Sequence, residues 1–175
     1  DITGYRGIKI CDYYGDSEVN NVVIDNCRFT NISKKPGIAI DDHNSVGKPM
    51  NIVIKNSTFT NCKAGDLGNY IYESDNAVPT LENNTVVVAA PTAEDFANAL
   101  KLNTENIEVV LAADIDCPIS SLGQQTGGSG EYKLGGENTN HITINLNDKK
   151  LNITTSYWSG IGAKNDNALF TIKNG

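Results

Sequence analysis

The run NVVIDNCRFTN at residues 21–31 returns as NIVIKNSTFTN at residues 51–61, so the chain repeats itself after 30 positions (51 − 21). The preceding run GIKICD at residues 7–12 has a counterpart at the same distance in GIAIDD at residues 37–42 (37 − 7). A degraded third copy lies within residues 70–85. Two runs that keep one register across the loop between them are typical of one structural unit stacked on its own copy. The repeat therefore predicts a solenoid.

Each copy consists of short stretches in which apolar and polar residues alternate, as in half-buried strands. The alternation slips by one residue at Asn26 and Asn56. We expect a corner there, because asparagine tolerates the left-handed backbone that a corner requires. Equivalent residues of parallel strands lie about 4.7–4.9 Å apart. We therefore expect Phe29 to lie over Phe59, and Asn26 over Asn56 and Asn83, with side-chain amides hydrogen-bonded from corner to corner.

These copies resemble a known family. The runs NVVIDNCRFTNIS and NIVIKNSTFTNCKAG resemble the rungs of right-handed parallel β-helices of the pectin-lyase-like superfamily, and GIAIDD resembles the strand that precedes such a rung. The resemblance implies an all-β fold, a right-handed parallel β-helix (solenoid). That superfamily includes lyases, hydrolases, adhesins and phage spikes, so the resemblance leaves the function open.

The repeat fades after Thr85, and one short capping α-helix is predicted after it. Pro91 ends an apolar strand, and Thr92 is a suitable N-cap with Asp95 near the positive end of the helix dipole. Apolar residues recur at helical spacing at Ala93, Phe96, Ala97 and Leu100. We expect the helix to end near Asn103. A short amphipathic helix can cover the exposed end of a stack of strands.

The chain is predicted to have two parts. Residues 1–88 form the terminal rungs of a β-helix, and residues 89–175 contain the capping helix and the opening rungs of a second β-helix segment. The runs TAEDFANAL, IEVVLAADID and ITINLNDKKLNIT of the second part resemble the opening cap and first rungs of β-helix domains of bacterial surface proteins. This resemblance implies an extracellular or cell-surface location.

The two ends of the chain read as parts of one rung. LFTIKNG followed by DITGYRG gives a continuous strand pattern with Ile172 and Ile2 as inward residues. We expect either a permuted window on a tandem array or copies that join head to tail through residues 1–10 and 165–175. An arbitrary boundary is the third explanation. Uncapped strand ends that join without closing produce filaments.

Composition restricts the partners. The net charge of −7 argues against nucleic acid, because nothing on the chain neutralises a run of phosphates. No apolar run approaches the roughly 18–20 residues needed to span a bilayer. The cysteines, Cys11, Cys27, Cys62 and Cys117, match no zinc pattern, and their disulfide state stays open. Cys27 is predicted to stack on Ser57 as a small core residue.

Acidic residues form the first candidate site. The repeat places Asp12 and Asp42 in one column, next to Asp41 and Glu73 in the adjoining column. Stacked carboxylates repel, so they must stay hydrated, raise a pKa or take a cation such as calcium. The metal-site candidates are therefore Asp12, Asp41, Asp42 and Glu73. A hydrated acidic turn, with no cofactor, accounts for the same residues.

Asp41, Asp42 and His43 are the catalytic candidates. Asp41-Asp42 resembles the Asp pair of polygalacturonase-like hydrolases in the superfamily, but the Gly-His-Gly and Arg-Ile-Lys elements of those enzymes are missing here. Pectate-lyase-like chemistry needs a basic residue among calcium-binding carboxylates, and neither Arg6 nor Arg28 lies in a matching motif. The enzyme hypothesis therefore lacks a catalytic constellation.

Tyrosines supply a third candidate site. Aromatic rings with polar tips can stack on sugar rings and bond their hydroxyls. The glycan-binding candidates are Tyr13, Tyr14, Asp12, Asp42 and Tyr72. The preferred hypothesis is an extracellular structural or adhesive β-helix segment of a surface stalk or fibre. The alternatives are a carbohydrate-binding surface module and a polysaccharide lyase or hydrolase that uses the Asp41-Asp42 strand.

Overall fold

The protein is an all-β chain of mostly parallel strands with one short α-helix. A computed structural model describes residues 2–4, 7–12, 21–42, 51–65, 69–74, 77–122, 125–126, 131–155 and 160–175. The chain divides into two compact units, Asp1–Val86 and Val87–Gly175. The division falls in the strand Thr85–Ala90, which also contains residue 88, the boundary expected from the sequence. The prediction of an all-β chain with parallel sheets and one short helix is confirmed.

The strands of the first unit come from successive copies of the repeat. They are β1 (Ile2–Gly4), β2 (Ile8–Asp12), β3 (Val22–Asp25), β4 (Arg28–Ile32), β5 (Ile38–Asp42), β6 (Ile52–Lys55), β7 (Thr58–Thr60), β8 (Tyr72–Ser74) and β9 (Thr80–Glu82), and β10 (Thr85–Ala90) crosses the division. Within this unit they pair in parallel in the orders β1-β4-β7, β2-β5-β8 and β3-β6-β9.

The register follows the repeat in the first two copies and departs from it in the third. Phe29 pairs with Phe59, 30 positions later. Ile38, however, pairs with Tyr72, 34 positions later (72 − 38), and Val53 pairs with Thr80, 27 positions later (80 − 53). The third copy has therefore gained residues before one strand and lost residues before the next, while the strands remain parallel.

Two stacked aromatic rings lie in the core of the first unit, among buried isoleucines. The Phe29 and Phe59 rings are buried and parallel, with centroids 4.7 Å apart and an interplanar angle of 2°. This distance is the spacing of neighbouring strands. Glycines stand just before β2 and β5, where the backbone approaches these rings. A Cβ atom at Gly7 would lie 2.6 Å from the Phe29 ring, and a Cβ atom at Gly37 would lie 2.6 Å from the Phe59 ring. The predicted stacking of Phe29 on Phe59 is confirmed.

Asparagines in the left-handed backbone conformation form the corners. Asn56 has φ 50° and Asn83 has φ 54°. Asn83 Nδ2 donates to Asn56 Oδ1 at 3.0 Å, as predicted. Asn56 Nδ2 donates instead to Asp25 Oδ1 at 2.9 Å, so the expected bond to Asn26 is replaced. A carboxylate is the stronger acceptor, which accounts for this difference.

A second corner column holds Cys27, Ser57 and Asn84. The buried Ser57 Oγ accepts from the Cys27 N–H at 3.1 Å and donates to the Lys55 carbonyl oxygen at 2.8 Å. The buried Asn84 accepts from the Ser57 N–H at 3.1 Å and donates to the Ile54 carbonyl oxygen at 2.8 Å. The side chains thereby satisfy backbone groups at the corner. Cys27, predicted as a core residue, is half-buried.

Helix α1 (Ala93–Ala99) lies near the start of the second unit. Thr92 is its N-cap, and the Thr92 Oγ1 accepts from the Asp95 N–H at 3.1 Å, which confirms the predicted start. The helix ends at Ala99, earlier than the predicted end near Asn103. The N–H groups of Lys101 and Leu102 bond to carbonyls three residues earlier, and such bonds tighten and end a helix.

The second unit is also built from parallel strands. They are β11 (Asn106–Leu111), β12 (Ile115–Pro118), β13 (Gln125–Thr126), β14 (Glu131–Leu134), β15 (His141–Asn145), β16 (Leu151–Thr154), β17 (Gly160–Ala163) and β18 (Leu169–Lys173), with a 3-10 helix at Ile119–Ser121. Parallel pairs join β11-β15-β18, β12-β16 and β14-β17, and β13 and β14 pair antiparallel. The core includes Phe96, Leu100, Ile107, Ile142 and Ile144. In the part of the chain that the structure describes, no helix is long and apolar enough to cross a membrane.

Candidate functional site

Asp41 lies on β5 beside a lysine of the neighbouring strand. Its Oδ2 atom is 2.7 Å from the Nζ atom of Lys9 on β2. Because an ammonium group already balances the carboxylate charge, this ion pair competes with any cation for the same oxygen atoms. Asp41 is therefore part of a mixed-charge surface.

Glu73 lies at a different register from Asp41. Glu73 pairs with Ala39, whereas Asp41 pairs with Cys11. The Glu73 Oε2 atom is 3.1 Å from the Nζ atom of Lys35. The prediction that Asp41 and Glu73 occupy one column is wrong, because β5 and β8 pair at the altered spacing of the third copy.

The remaining acidic candidates are Asp12 and Asp42, at the ends of β2 and β5. The two residues pair in register, as the repeat predicts. His43, the third catalytic candidate, lies outside the described residues. Across the described ranges, no three or more His, Cys, Asp or Glu residues are grouped so that they could hold a metal ion.

The tyrosine candidates are only partly within the described residues. Tyr13 and Tyr14 lie outside them. Tyr72 pairs in register with the buried Ile38, and its side chain is half-buried, as is that of Tyr70. Each ring therefore offers only part of its surface to a ligand.

The cysteines are free thiols, and two of them are buried. Burial raises the pKa of Cys62 to about 11, and the hydrogen bond with the Ile32 backbone lowers it only in part. Burial also raises the pKa of Cys117, and the positive charge of Lys101 lowers it only in part. Both thiols therefore stay protonated at neutral pH and are poor nucleophiles.

A charged network joins three strands of the second unit. The Glu108 Oε1 atom on β11 accepts from the Nδ2 group of Asn145 on β15 at 2.9 Å and lies 2.9 Å from the Nζ atom of Lys173 on β18. Burial by itself raises the pKa of Glu108, but the bonds from Lys173 and Asn145 outweigh it, so that the pKa lies below its ordinary value. No sequence pattern indicated this network, because its members lie on three separate strands.

The most unusual surface lies on β17 and β18. Phe170 and Ile172 pair in register with Ile142 and Ile144, which are buried, yet they are 45% and 58% exposed. Ile161 on β17 is 39% exposed and pairs with Tyr132, which is buried. We call Ile161, Phe170 and Ile172 the terminal apolar edge.

The terminal apolar edge consists of core positions that no further strand covers among the described residues. Sequence reasoning identified Ile172 through the pattern of the chain ends, but it did not single out Phe170 or Ile161. The run LFTIK does indicate Phe170, because residues two positions apart on a strand lie on the same face and Phe170 stands two positions before Ile172. Comparison with known proteins adds no further guide: no protein-family model, curated protein or solved structure matches this chain.

Proposed function

We propose that this chain is a segment of an extracellular or cell-surface right-handed parallel β-helix, a solenoid of the pectin-lyase-like kind that resembles β-helix domains of bacterial surface proteins. Its function is structural or adhesive: it builds part of a stalk or fibre by joining other copies head to tail through residues 1–10 and 165–175. The terminal apolar edge is the observation that carries this proposal, because exposed core positions at a strand edge call for a covering strand.

The exposed fraction of these three side chains indicates how much free energy is gained when a second copy covers the terminal apolar edge. Fully burying an Ile or Phe side chain contributes about 1.5–3 kcal/mol, and these three side chains are roughly half exposed, so covering them contributes about 3 kcal/mol. Association costs about 4 kcal/mol or more in lost freedom of motion. Apolar burial alone therefore does not hold two copies together, and backbone pairing along β17 and β18 must contribute.

Sedimentation velocity and negative-stain microscopy across a range of concentrations test the proposal. We expect species that lengthen as the concentration rises, and a loss of these species in Ile172→Lys. Val78→Lys is the matched control, because Val78 is 80% exposed and belongs to the first unit, whereas the edge belongs to the second. A wild-type chain that stays monomeric at every concentration would refute the proposal.

A carbohydrate-binding surface is the second candidate. It rests on the half-buried ring of Tyr72, which leaves part of its surface open to a ligand. Aromatic rings with polar tips suit sugar recognition. A glycan array without hits, or with hits that Tyr72→Ala leaves unchanged, would remove this candidate at Tyr72.

A further inference from the structure

A lysine and an asparagine lie directly opposite each other on β18 and β15. Lys173 pairs in register with Asn145, so the two side chains leave the sheet on the same face, at the spacing of neighbouring strands, about 4.7–4.9 Å. Both side chains also contact one atom of a third residue. The Lys173 Nζ atom and the Asn145 Nδ2 atom each lie 2.9 Å from the Oε1 atom of Glu108. One carboxylate oxygen therefore holds an amine beside a carboxamide.

The carboxamide of Asn145 is polarised through both of its polar atoms. Its Oδ1 atom accepts from the Asn147 N–H at 3.1 Å and from the Asn174 Nδ2 group at 3.0 Å. Asn147 is itself fixed, because its Nδ2 group donates to the Leu111 carbonyl oxygen at 3.0 Å. Two fixed N–H donors on a carbonyl oxygen stabilise the negative charge of a tetrahedral intermediate. The carbonyl carbon of Asn145 is therefore activated toward a nucleophile.

Glu108 is placed to move the protons of such a reaction. Burial by itself raises the pKa of Glu108, but the bonds from Lys173 and Asn145 lower that pKa by more, so the group is a carboxylate at neutral pH. A lysine attacks a carbonyl carbon only as the free amine. The carboxylate in contact with both nitrogen atoms can take a proton from one of them and give it to the other.

We propose that Lys173 and Asn145 form an isopeptide bond, a covalent cross-link between β18 and β15 that Glu108 promotes. The Lys173–Glu108 ion pair is the state before the reaction. Glu108 takes a proton from the ammonium group, and the Nζ lone pair forms a bond to Asn145 Cγ. The Cγ–Nδ2 bond then breaks as Glu108 returns the proton to the leaving nitrogen, and Nζ loses a second proton to water. An ammonium group and a carboxamide thus give a secondary amide and an ammonium ion, with no other reactant.

A lysine, an asparagine and a carboxylate also meet in the first unit, but in a different arrangement. The Asn56 Nδ2 group donates to Asp25 Oδ1 at 2.9 Å, whereas Lys55 Nζ lies 3.7 Å from the other oxygen, Oδ2. Lys55 and Asn56 are neighbours along the chain and do not lie opposite each other on two strands. We expect no cross-link there, so Lys55→Arg is the matched control.

Prolonged incubation of the folded chain at neutral pH, followed by intact-mass measurement and tryptic peptide mapping, tests the proposal. Over several weeks we expect a mass lower by one ammonia and a branched peptide that joins residues 134–149 to residues 165–175. Lys173→Arg keeps the positive charge but should not form the branched peptide. Glu108→Gln should form it about 10²–10⁴-fold more slowly, the range that a positioned acid or base contributes. Lys55→Arg should behave as the wild type, and circular dichroism checks that each variant folds.

Only linear peptides from the folded wild-type chain would overturn the proposal. A mass loss without the branched peptide, equal in Lys173→Arg, would also overturn it, because an asparagine that cyclises onto its own backbone releases ammonia without a lysine. A branched peptide that forms as fast in Glu108→Gln as in the wild type would refute the role of the carboxylate. All of these results are read from the mass of one chain, so a failure here leaves the proposed head-to-tail assembly unaffected.

Discussion

Replacing Phe29 and Phe59, singly and together, measures how strongly the repeat stacks on itself. Both rings are buried, and a buried Phe→Ala change costs about 3–5 kcal/mol. A unit of 86 residues has a stability of about 4–13 kcal/mol, at 0.05–0.15 kcal/mol per residue, so either change removes a large share of it. Offset or parallel ring pairs at this separation contribute about 0.5–1.5 kcal/mol beyond area burial.

Urea unfolding followed by circular dichroism gives the four free energies of unfolding needed for a double-mutant cycle, those of the wild type, the two single variants and the double variant. We expect the double variant to be less destabilised than the sum of the single variants, by about 0.5–1.5 kcal/mol, because each single change already removes the stacking term. Phe→Leu at both positions replaces Ala if the Ala variants do not fold. Strictly additive effects would show that the rings do not contact each other and would refute the stacking of the copies.

The remaining predictions concern a glycine, an ion pair and a thiol. Gly37→Ala should destabilise the chain by about 1–3 kcal/mol in urea unfolding, because the new Cβ meets the Phe59 ring at 2.6 Å. Glu108 has a lowered pKa, so the stability that it gains from Lys173 is present above the ordinary pKa of a glutamate and is lost as the pH falls through the lowered value. Glu108→Gln should therefore show a smaller loss of melting temperature between pH 7 and pH 3. Cys62, with a pKa raised from 9.0 to about 11, should react with iodoacetamide at pH 8 about a hundredfold more slowly in the folded chain than in urea, as measured by mass spectrometry.

Each of these expectations has a contrary result. An unchanged urea midpoint for Gly37→Ala would mean that the Phe59 ring is not packed against that backbone. A Glu108→Gln variant that loses as much stability in acid as the wild type would assign the acid sensitivity to other carboxylates. Equal alkylation of Cys62 before and after unfolding would contradict its burial, and the half-buried Cys11 is the internal control for reagent access.

The sequence predicted the parts of the fold that depend on a constant period. Phe29 could be matched with Phe59 because the first two copies of the repeat have the same length, so that no insertion shifts one ring relative to the other. The same reasoning failed for Glu73, because the third copy pairs at spacings of 34 and 27, and a single sequence does not show which loop absorbs each change. The helix start could be predicted from Thr92, since a capping residue is recognisable in the sequence, whereas no residue type marks the end at Ala99, where the Lys101 and Leu102 N–H groups bond three residues back.

The candidate sites were less predictable than the fold. The Lys9–Asp41 ion pair depends on side-chain directions across two strands, which residue columns alone do not give. The partner of Asn56 shows the same limit. Its side chain donates to the Asp25 carboxylate and not to the expected Asn26, because a carboxylate is the stronger acceptor. The exposure of Phe170 depends on which strands are paired beside it, and this is a property of the assembled sheet.

The nearly constant distance along the chain between paired strands has a consequence for how the first unit forms. Each new layer closes a loop of about the same length, so the entropic cost of adding a layer is nearly the same each time. Growth of this kind resembles a zipper, in which an outer layer can open and close while the inner ones hold. The first unit can therefore lose an outer pair of strands under load and regain it without unfolding as a whole.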